Sequence, residues 1–357
     1  MPKTSPASSH PSFPPHRGDK GGAPSAFPLL GGARGGLLLL LVLLLAANLL
    51  LGSVSLAEVP SATASYILWQ LRLPEVLMAL AAGIALSLSG LVMQTLMGNP
   101  LADPSVLGVT TGASLGSGLV MLAGGTFGLA AVQSAAAVGL QLSAFAAAFA
   151  AAMTVTGVLL FFSRRVENRT TLLLVGVMLN FLLSSAIGVM TFYASADGIQ
   201  RFAVWGLGTL GGVSLSLSCA VLIVVIICAL LLTVFCNPLN AFLFGETYVA
   251  TVGYNVRRHR TCLLLAVSFL CALVTSFCGP IAFVGLAVPH LARALRATDS
   301  HRVLIPAVVL LGGIVMLACR LLCILPSVFW GTGILPVNVL TPLFGAPVVL
   351  WVLLRRP

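Results

Sequence analysis

Residues 72–116 read RLPEVLMALAAGIALSLSGLVMQTLMGNPLADPSVLGVTTGASLG, and this stretch decides the fold. An apolar run of membrane length is followed by a turn with two prolines and then by a run rich in small residues. Asp103 is placed to cap the second helix, and Pro104 occupies its first position, where a missing N–H costs nothing. A polar turn between two membrane helices must lie at a water interface or line a cavity. The stretch therefore predicts a helical hairpin whose turn suits a gate better than a purely structural bundle.

The composition excludes an ordinary soluble domain. Of 357 residues, 59% are hydrophobic and 7% are charged, and the mean hydropathy is +1.10. At roughly 20 apolar residues per crossing, the chain has room for about ten membrane helices. The net charge is +10, but the arginines lie in short loops between apolar runs, so we expect no nucleic-acid partner. The eight cysteines lie almost all in apolar runs without a CxxC pair, so we expect no metal site.

We predict an all-α integral membrane protein with about ten transmembrane helices. They are residues 37–57, 73–97, 106–123, 138–162, 171–194, 212–235, 260–278, 281–295, 303–324 and 337–354. The last contains Pro342, Gly345 and Pro347, so we expect it to be broken or kinked. Residues 1–35 carry seven prolines and cannot form a core. We expect them to be a disordered cytoplasmic tail, and residues 36–357 to be the membrane domain.

The basic residues test this arrangement. Ten crossings place both termini on one side of the membrane, and all but three of the 18 lysines and arginines then fall on that side. The three exceptions are Arg72, Arg201 and Arg320. By the positive-inside rule, the richer side is cytoplasmic. The sequence thus predicts a multi-pass protein of the inner (cytoplasmic) membrane, surrounded by lipid, with both termini in the cytoplasm.

The chain has no catalytic machinery that we can identify. It contains no GxxxxGK[ST] phosphate loop, no HExxH and no GxSxG motif, so we predict that it is not an enzyme and binds no cofactor. All eight acidic residues map to loops or helix ends, whereas an ion-coupled transporter needs an ionisable group near mid-membrane. If the protein moves a solute uphill, another subunit must supply the energy. An ion-coupled secondary transporter and a non-transporting membrane scaffold remain the alternatives at this stage.

Two loops suggest contacts with partners. Residues 237–259 form the longest interior loop, in which Glu246 favours the start of a short helix and Gly253 can end it. Such a helix suits docking into a partner's groove, although a solvated connector has the same composition. On the other side, residues 195–211 are too short to span the membrane. Arg201 in that segment can pair with an external acidic group or remain solvated at the interface.

A series of short motifs runs through most of the chain from about residue 66. They are Arg72-Leu73-Pro74, residues 90–94, Asn99-Pro100-Leu101-Ala102-Asp103-Pro104, Leu107-Gly108-Val109, Gly112-Ala113, residues 172–176, Trp205-Gly206-Leu207-Gly208, Gly245-Glu246 with Gly253, residues 279–286, residues 289–293, Leu335-Pro336 and Gly345-Ala346-Pro347. In the order and spacing of these motifs, the chain resembles the FecCD/BtuC-like family. Members of this family are permease subunits of ABC importers for iron chelates, haem and vitamin B12.

The resemblance implies a homodimer of ten-helix subunits around a central path. It also implies two cytoplasmic ATPase subunits, which bind ATP and Mg²⁺, and an external substrate-binding protein. The substrate would be an iron–siderophore complex, haem or cobalamin. Residues 244–255 would form the coupling helix that the ATPase receives.

The resemblance further assigns roles to individual residues. The cytoplasmic gate would comprise Asn99, Pro100 and Leu101, with Asn168 and Arg169 at a second constriction. Asn180, Ser184 and Ser185 on the fifth helix would line the path, although ordinary interhelical hydrogen bonding explains them equally well. ATPase coupling would use Gly245, Glu246, Thr247, Ala250 and Gly253. Docking of the binding protein would use Arg72, Glu75, Arg201 and Arg320.

The chain departs from the family pattern on the outer side. The first motif usually reads Arg-Leu-Pro-Arg, but here Glu75 replaces the second arginine. Cys319 stands where the ninth helix usually carries an aspartate, and Ile334 stands where a glutamate usually precedes Leu-Pro. We therefore expect an altered polarity of docking with the binding protein, but no loss of transport.

Overall fold

The computed structural model describes residues 33–52, 54, 59–122, 137–165, 169–331 and 333–355. Over these ranges the chain is all-helical. The α-helices are α1 (Ala33–Leu50), α2 (Ser61–Met97, which includes a π turn at Ile67–Arg72), α3 (Val109–Met121), α4 (Ala137–Arg165), α5 (Arg169–Tyr193), α6 (Ala196–Gly206), α7 (Leu215–Val234), α8 (Cys236–Phe242), α9 (Glu246–Thr251), α10 (Val256–Cys278), α11 (Val284–Arg296), α12 (His301–Trp330) and α13 (Val337–Arg355).

Ten of these helices correspond to the ten that the sequence predicts, namely α1 to α5, α7 and α10 to α13. Within the described residues, six are long and apolar enough to cross a membrane, and α1 and α13 are shorter apolar helices. The remaining two, α3 and α11, have 13 residues each. At 1.5 Å per residue they span about 20 Å, so they reach only part of the way across a bilayer core.

Helix α2 is the centre of the bundle, and 89% of its apolar window is buried. Helices α7, α10, α11 and α12 pack around it. Two of these contacts bring backbone against backbone: a Cβ on Gly83 would lie 2.1 Å from the Gly312 carbonyl oxygen on α12. A Cβ on Gly90 would lie 1.7 Å from the carbonyl oxygen of Gly285 on α11. Small residues at such crossings let membrane helices approach closely, which is how they gain packing energy in lipid.

Residues 98–108, which we call the elbow, join α2 to α3. Gly98 ends α2 in the left-handed conformation, with φ of 59°. Asp103 Oδ2 then accepts a hydrogen bond from the Ser105 amide at 3.1 Å and so caps the 3₁₀ turn Pro104–Leu107. Gly108, with φ of 80°, redirects the chain into α3. The predicted roles of Asp103 and Pro104 are confirmed, with the 3₁₀ turn inserted before the α-helix.

The structure bears on the predictions for both ends of the chain. Of the predicted break or kink in the last helix, the break is wrong, because α13 runs continuously through Pro342 and Pro347, while the kink stays a prediction. The predicted tail, residues 1–35, lies outside the described residues except for its last three, which already belong to α1. Helix α1 therefore begins three residues before the predicted start of the membrane domain at residue 36.

The close crossing of α2 and α11 gives the first prediction. Gly90→Ala places a methyl group against a backbone carbonyl that cannot move aside alone, and overpacking of this kind costs about 1–3 kcal/mol. We expect the thermal midpoint of the protein in detergent to fall. Gly157→Ala on α4 is the control, because nothing lies within 4 Å of its new methyl group. An equal midpoint for both variants would show that the crossing is not tightly packed.

Candidate functional site

The elbow presents a polar tip at one end of the bundle, which we call the elbow end. Residues 98–101 form this tip and are all exposed, Leu101 with 48% of its surface. The Asn99 side-chain oxygen accepts the Leu101 amide at 2.9 Å, which holds the tip in a compact turn. The tip thus brings together the predicted gate residues Asn99, Pro100 and Leu101. Of the predicted second constriction, Asn168 lies outside the described residues, and Arg169 begins α5 with a side chain that is not described.

The base of the elbow is fixed by α5. Asn180 Nδ2 donates to the carbonyl oxygens of Ser105 and Val106, at 3.2 and 3.0 Å, and Asn180 Oδ1 accepts from Thr111 Oγ1 at 2.6 Å. The side chain predicted to line the path therefore fixes the elbow: it adds a second donor to the Ser105 carbonyl, which already accepts the Gly108 amide at 3.1 Å, and it bonds the Val106 carbonyl. Beside it, burial raises the pKa of the Asp103 carboxyl above its usual range, although hydrogen bonds from Ser105 act in the opposite direction.

The other two predicted path residues, Ser184 and Ser185, lie on a face of α5 that is exposed in the single chain. Phe181 and Leu182 are exposed beside them, with 67% and 66% of their surfaces. Only 11% of the apolar window of this helix is buried. Such a face must be covered by lipid or by another protein surface, because a contiguous apolar patch of this kind is not stable in water.

Helix α9 at the elbow end has the limits that the sequence predicts. Gly245 and Gly253 bracket it with φ of 100° and 93°. Val249 is fully buried and attaches the helix to the bundle, whereas Thr247 and Ala250 face outward. The sequence analysis missed an aromatic pair on the exposed side. The rings of Phe244 and Tyr248 lie 5.1 Å apart and are 73% and 47% exposed. The spacing of four residues around a helix start is the signal that could have found this pair.

Glu246 anchors α9 and does not project from it. Its carboxylate lies 3.3 Å from Nη1 of Arg260 on α10, a residue that is 4% exposed. Arg260 also donates to the carbonyl oxygen of Ser163 at the end of α4. The pair therefore joins α9 to two long helices, α10 and α4.

The opposite end of the bundle, which we call the far end, holds a buried charge cluster. Arg320 on α12 donates through Nη2 to Glu75 Oε2 at 2.5 Å and through Nη1 to Asn48 Oδ1 at 2.9 Å. Arg72 donates to the carbonyl oxygens of Leu49 and Leu50, the last residues of α1, at 2.9 and 2.8 Å. These carbonyls lack partners within their helix, so the two arginines fix the end of α1 against α2 and α12.

Burial separates the four residues predicted to dock a binding protein into two groups. Arg72 and Arg320 are 5% and 3% exposed, and their terminal guanidinium nitrogens bond to groups inside the chain. Arg201 on α6 is exposed, and the Glu75 side chain keeps 31% of its surface. Glu75 and Arg320 also line a cleft of about 250 Å³, together with residues 207–211 and 334–337. In the isolated chain, Arg201 and Glu75 are the members of this set that a partner can reach.

A bundle of ten apolar helices in the described residues, one of them buried at its centre, with a polar elbow and a short exposed helix at one end, defines a multi-pass membrane transport protein. Residues 37–355 match the model of the FecCD transport family, and the chain belongs to this family. It is 33% identical over 303 residues to the vitamin B12 import system permease proteins BtuC of Salmonella paratyphi A and Salmonella typhi, covering 83% of this chain and 86% of each relative. A solved structure described as an inward-facing metal-chelate type ABC transporter aligns with a TM-score of 0.77 and 25% identity, covering 90% of this chain and 98% of that one.

The chain is therefore the membrane permease subunit of an ABC importer. It is not itself the ATPase, because ATP is bound by a partner subunit. An importer of this kind also works with a substrate-binding protein. The family resemblance stated from the sequence motifs is confirmed, and it replaces the ion-coupled and scaffold alternatives.

The far-end cluster gives the second prediction. Glu75→Arg removes the acid that neutralises buried Arg320 and places three guanidinium groups together, so we expect a lower thermal midpoint in detergent. A hydrogen bond to a charged group contributes about 1.5–3 kcal/mol. The exchange of both residues, Glu75→Arg with Arg320→Glu, is expected to recover most of the loss. If the double variant is no more stable than the single one, the pair does not stabilise the fold.

Proposed function

We propose that the chain forms one half of a homodimeric permease that imports a bulky metal chelate, namely cobalamin, haem or an iron–siderophore complex. The observation that carries this proposal is the identity of 33% over most of the chain to permeases for vitamin B12. The resemblance in fold to a metal-chelate type transporter supports the same class of substrate. The choice among the three chelates rests with the separate binding protein, since the path itself offers few polar side chains.

The exposed faces of α5 and α13 support a second copy of the chain as the partner. On α5 the exposed side carries Ser184 and Ser185 among large apolar residues, and on α13 Leu343 and Leu350 are 62% and 59% exposed. A symmetric pair of such faces would enclose a path with a mixed lining, and the serines would supply its hydroxyl groups. Asn180 lies at the elbow end of this path, and its hydrogen bonds to the Ser105 and Val106 carbonyls hold the base of the gate in position.

We place the elbow end in the cytoplasm. The basic residues with described side chains are more numerous there than at the far end: Arg164, Arg165, Arg257, Arg258, Arg260, Arg293, Arg296 and Arg302 against Arg72, Arg201 and Arg320. The positive-inside rule favours this orientation, with both termini cytoplasmic. The far end then faces the binding protein, which Arg201 and Glu75 contact directly while Arg72 and Arg320 hold the surface that they lie on.

In this orientation α9 is the coupling helix, within residues 244–255. Its exposed side would enter a groove of the ATPase, with Phe244 and Tyr248 as anchors and Thr247 and Ala250 beside them. Gly245 and Gly253 limit the helix and let it pivot, because their positive φ angles are accessible to glycine. The Glu246–Arg260 pair would carry the movement into α10 and α4.

The elbow tip serves as the cytoplasmic gate in this proposal. Asn99, Pro100 and Leu101 of the two copies would meet across the path, with Asn168 and Arg169 forming a second constriction. The ATPase biases a bundle that has two packed states, and only the state in which the tips separate would pass the substrate.

Uptake by a deletion strain tests the substrate class. A strain lacking this permease is given labelled cobalamin, haem or a ferric siderophore, and we expect the loss of uptake for one of these chelates only. Re-expression of the chain is expected to restore that uptake. An unchanged uptake of all three, with loss of transport for an unrelated solute, would contradict the proposal.

A pair of aromatic variants tests the coupling helix. Phe244→Ala with Tyr248→Ala removes two exposed rings, and anchor residues at interfaces contribute about 2 kcal/mol or more each. We expect the affinity of the permease for the ATPase subunit to fall at least about 30-fold. Phe329→Ala is the matched control, because Phe329 is 70% exposed at the far end of the bundle. Equal ATPase binding by both variants would show that α9 is not the docking helix.

A further inference from the structure

Helix α11 reaches the elbow through His290. This side chain is 1% exposed, and its Nε2 lies 2.8 Å from the carbonyl oxygen of Pro100 at the tip. A carbonyl oxygen only accepts hydrogen bonds, so the proton of this bond must be on Nε2 of the imidazole. The two residues are 190 positions apart in the chain, and the bond therefore joins separate helices.

The other hydrogen bonds of the tip are local. The Gly98 and Asn99 amides bond to carbonyls in the last turn of α2, and the Leu101 and Ala102 amides bond to Asn99. Among the described residues, the His290 bond is thus the one by which another helix holds the tip. Without this bond only the local turn would hold the tip, and that turn would open more often.

The last turn of α2 is fixed to α11 more firmly than the tip. Arg293 Nη1 donates to Gln94 Oε1 at 2.5 Å, and Gln94 Nε2 donates to the Leu286 carbonyl oxygen at 3.3 Å. Arg293 also lies 3.4 Å from Asp299. A charged, multiply bonded contact therefore holds the point from which the tip extends, while one neutral bond holds the tip itself.

We infer that His290 is a latch that favours the closed position of the gate by holding the Pro100 carbonyl. The inference rests on the proposed role of the tip as the gate. When the tip moves away, the buried imidazole N–H loses its acceptor, so the closed position is favoured. One neutral hydrogen bond shifts such an equilibrium by up to about tenfold, or about 1.4 kcal/mol. This is small enough for a movement of α11 driven by the ATPase to overcome.

Hydrogen exchange at the tip tests the latch directly. In the intact importer, reconstituted in nanodiscs, His290→Leu removes the donor, whereas His290→Gln keeps an N–H at nearly the position of Nε2. We expect the amides of Leu101 and Ala102 to exchange up to about tenfold faster in His290→Leu and within about twofold of the unmodified rate in His290→Gln. Equal exchange in both variants overturns the latch.

A purely structural role for His290 makes a different prediction. It would lower the thermal midpoint of His290→Leu and speed exchange throughout α11, with no selectivity for the tip, and that result also overturns the latch. His290→Asn, whose shorter amide does not reach Pro100, provides a second donor-deficient variant in case the leucine variant does not fold. It is expected to show the same selective increase at Leu101 and Ala102.

The rate at which labelled substrate leaks from proteoliposomes without ATP tests the gate role of the tip separately from the latch role of His290. We expect Asn99→Ala with Leu101→Ala to raise the leak rate, and His290→Leu to raise it less, with no further increase when the changes are combined. Faster exchange at the tip with an unchanged leak in all variants would support the latch and reject the gate. An additive leak would show that His290 acts elsewhere than through the tip.

Discussion

The contact of α2 with α11 and α12 through glycine is the constraint on which the other parts depend. Lipid offers no hydrophobic drive for one apolar helix to meet another, so close backbone packing must supply the energy. Gly83 and Gly90 lie seven residues apart on α2, and each meets a glycine of a different neighbour. The two crossings fix the rotation and height of α2, and thereby the position of the elbow at one end and of Glu75 at the other.

Polar side chains gather at the two ends of this central helix. At the elbow end, Thr95 Oγ1 lies 2.9 Å from His301 Nε2, and His301 Nδ1 lies 2.8 Å from Asn240 Oδ1 on α8. Helix α8 immediately precedes the segment that carries α9. A continuous series of hydrogen-bonded contacts therefore runs from next to α9 to the last turn of α2, which supports the elbow. The same arrangement keeps charged groups out of the middle of the described membrane helices, in agreement with an importer whose energy comes from another subunit.

Local sequence patterns predicted the elements, and long-range contacts decided the chemistry. Hydropathy found the ten membrane helices, and the Asp103-Pro104 pair with its neighbouring glycines found the elbow, because caps and turns depend on adjacent residues. The partners of Arg260, His290 and Arg320 could not be found in this way, since they lie 14, 190 and 245 positions away. The predicted break in α13 failed because prolines can remain within a packed membrane helix whose neighbours compensate for the missing bonds.

Glu75, which stands where the family pattern usually has an arginine, shows how one substitution can have a structural role that the sequence does not reveal. From the sequence alone, it indicated a reversed charge on the surface that docks the binding protein. In the structure Glu75 neutralises Arg320, which is buried where α12 meets α1 and α2 and would otherwise be a buried charge without an acid among the described residues. Removing one partner of a buried ion pair leaves the other charge unneutralised, and this costs more than the intact pair contributes relative to apolar residues in its place. The acid is therefore required once the arginine is present. Glu75 therefore first stabilises the far end, and the 31% of its side-chain surface that stays exposed is what a partner can reach.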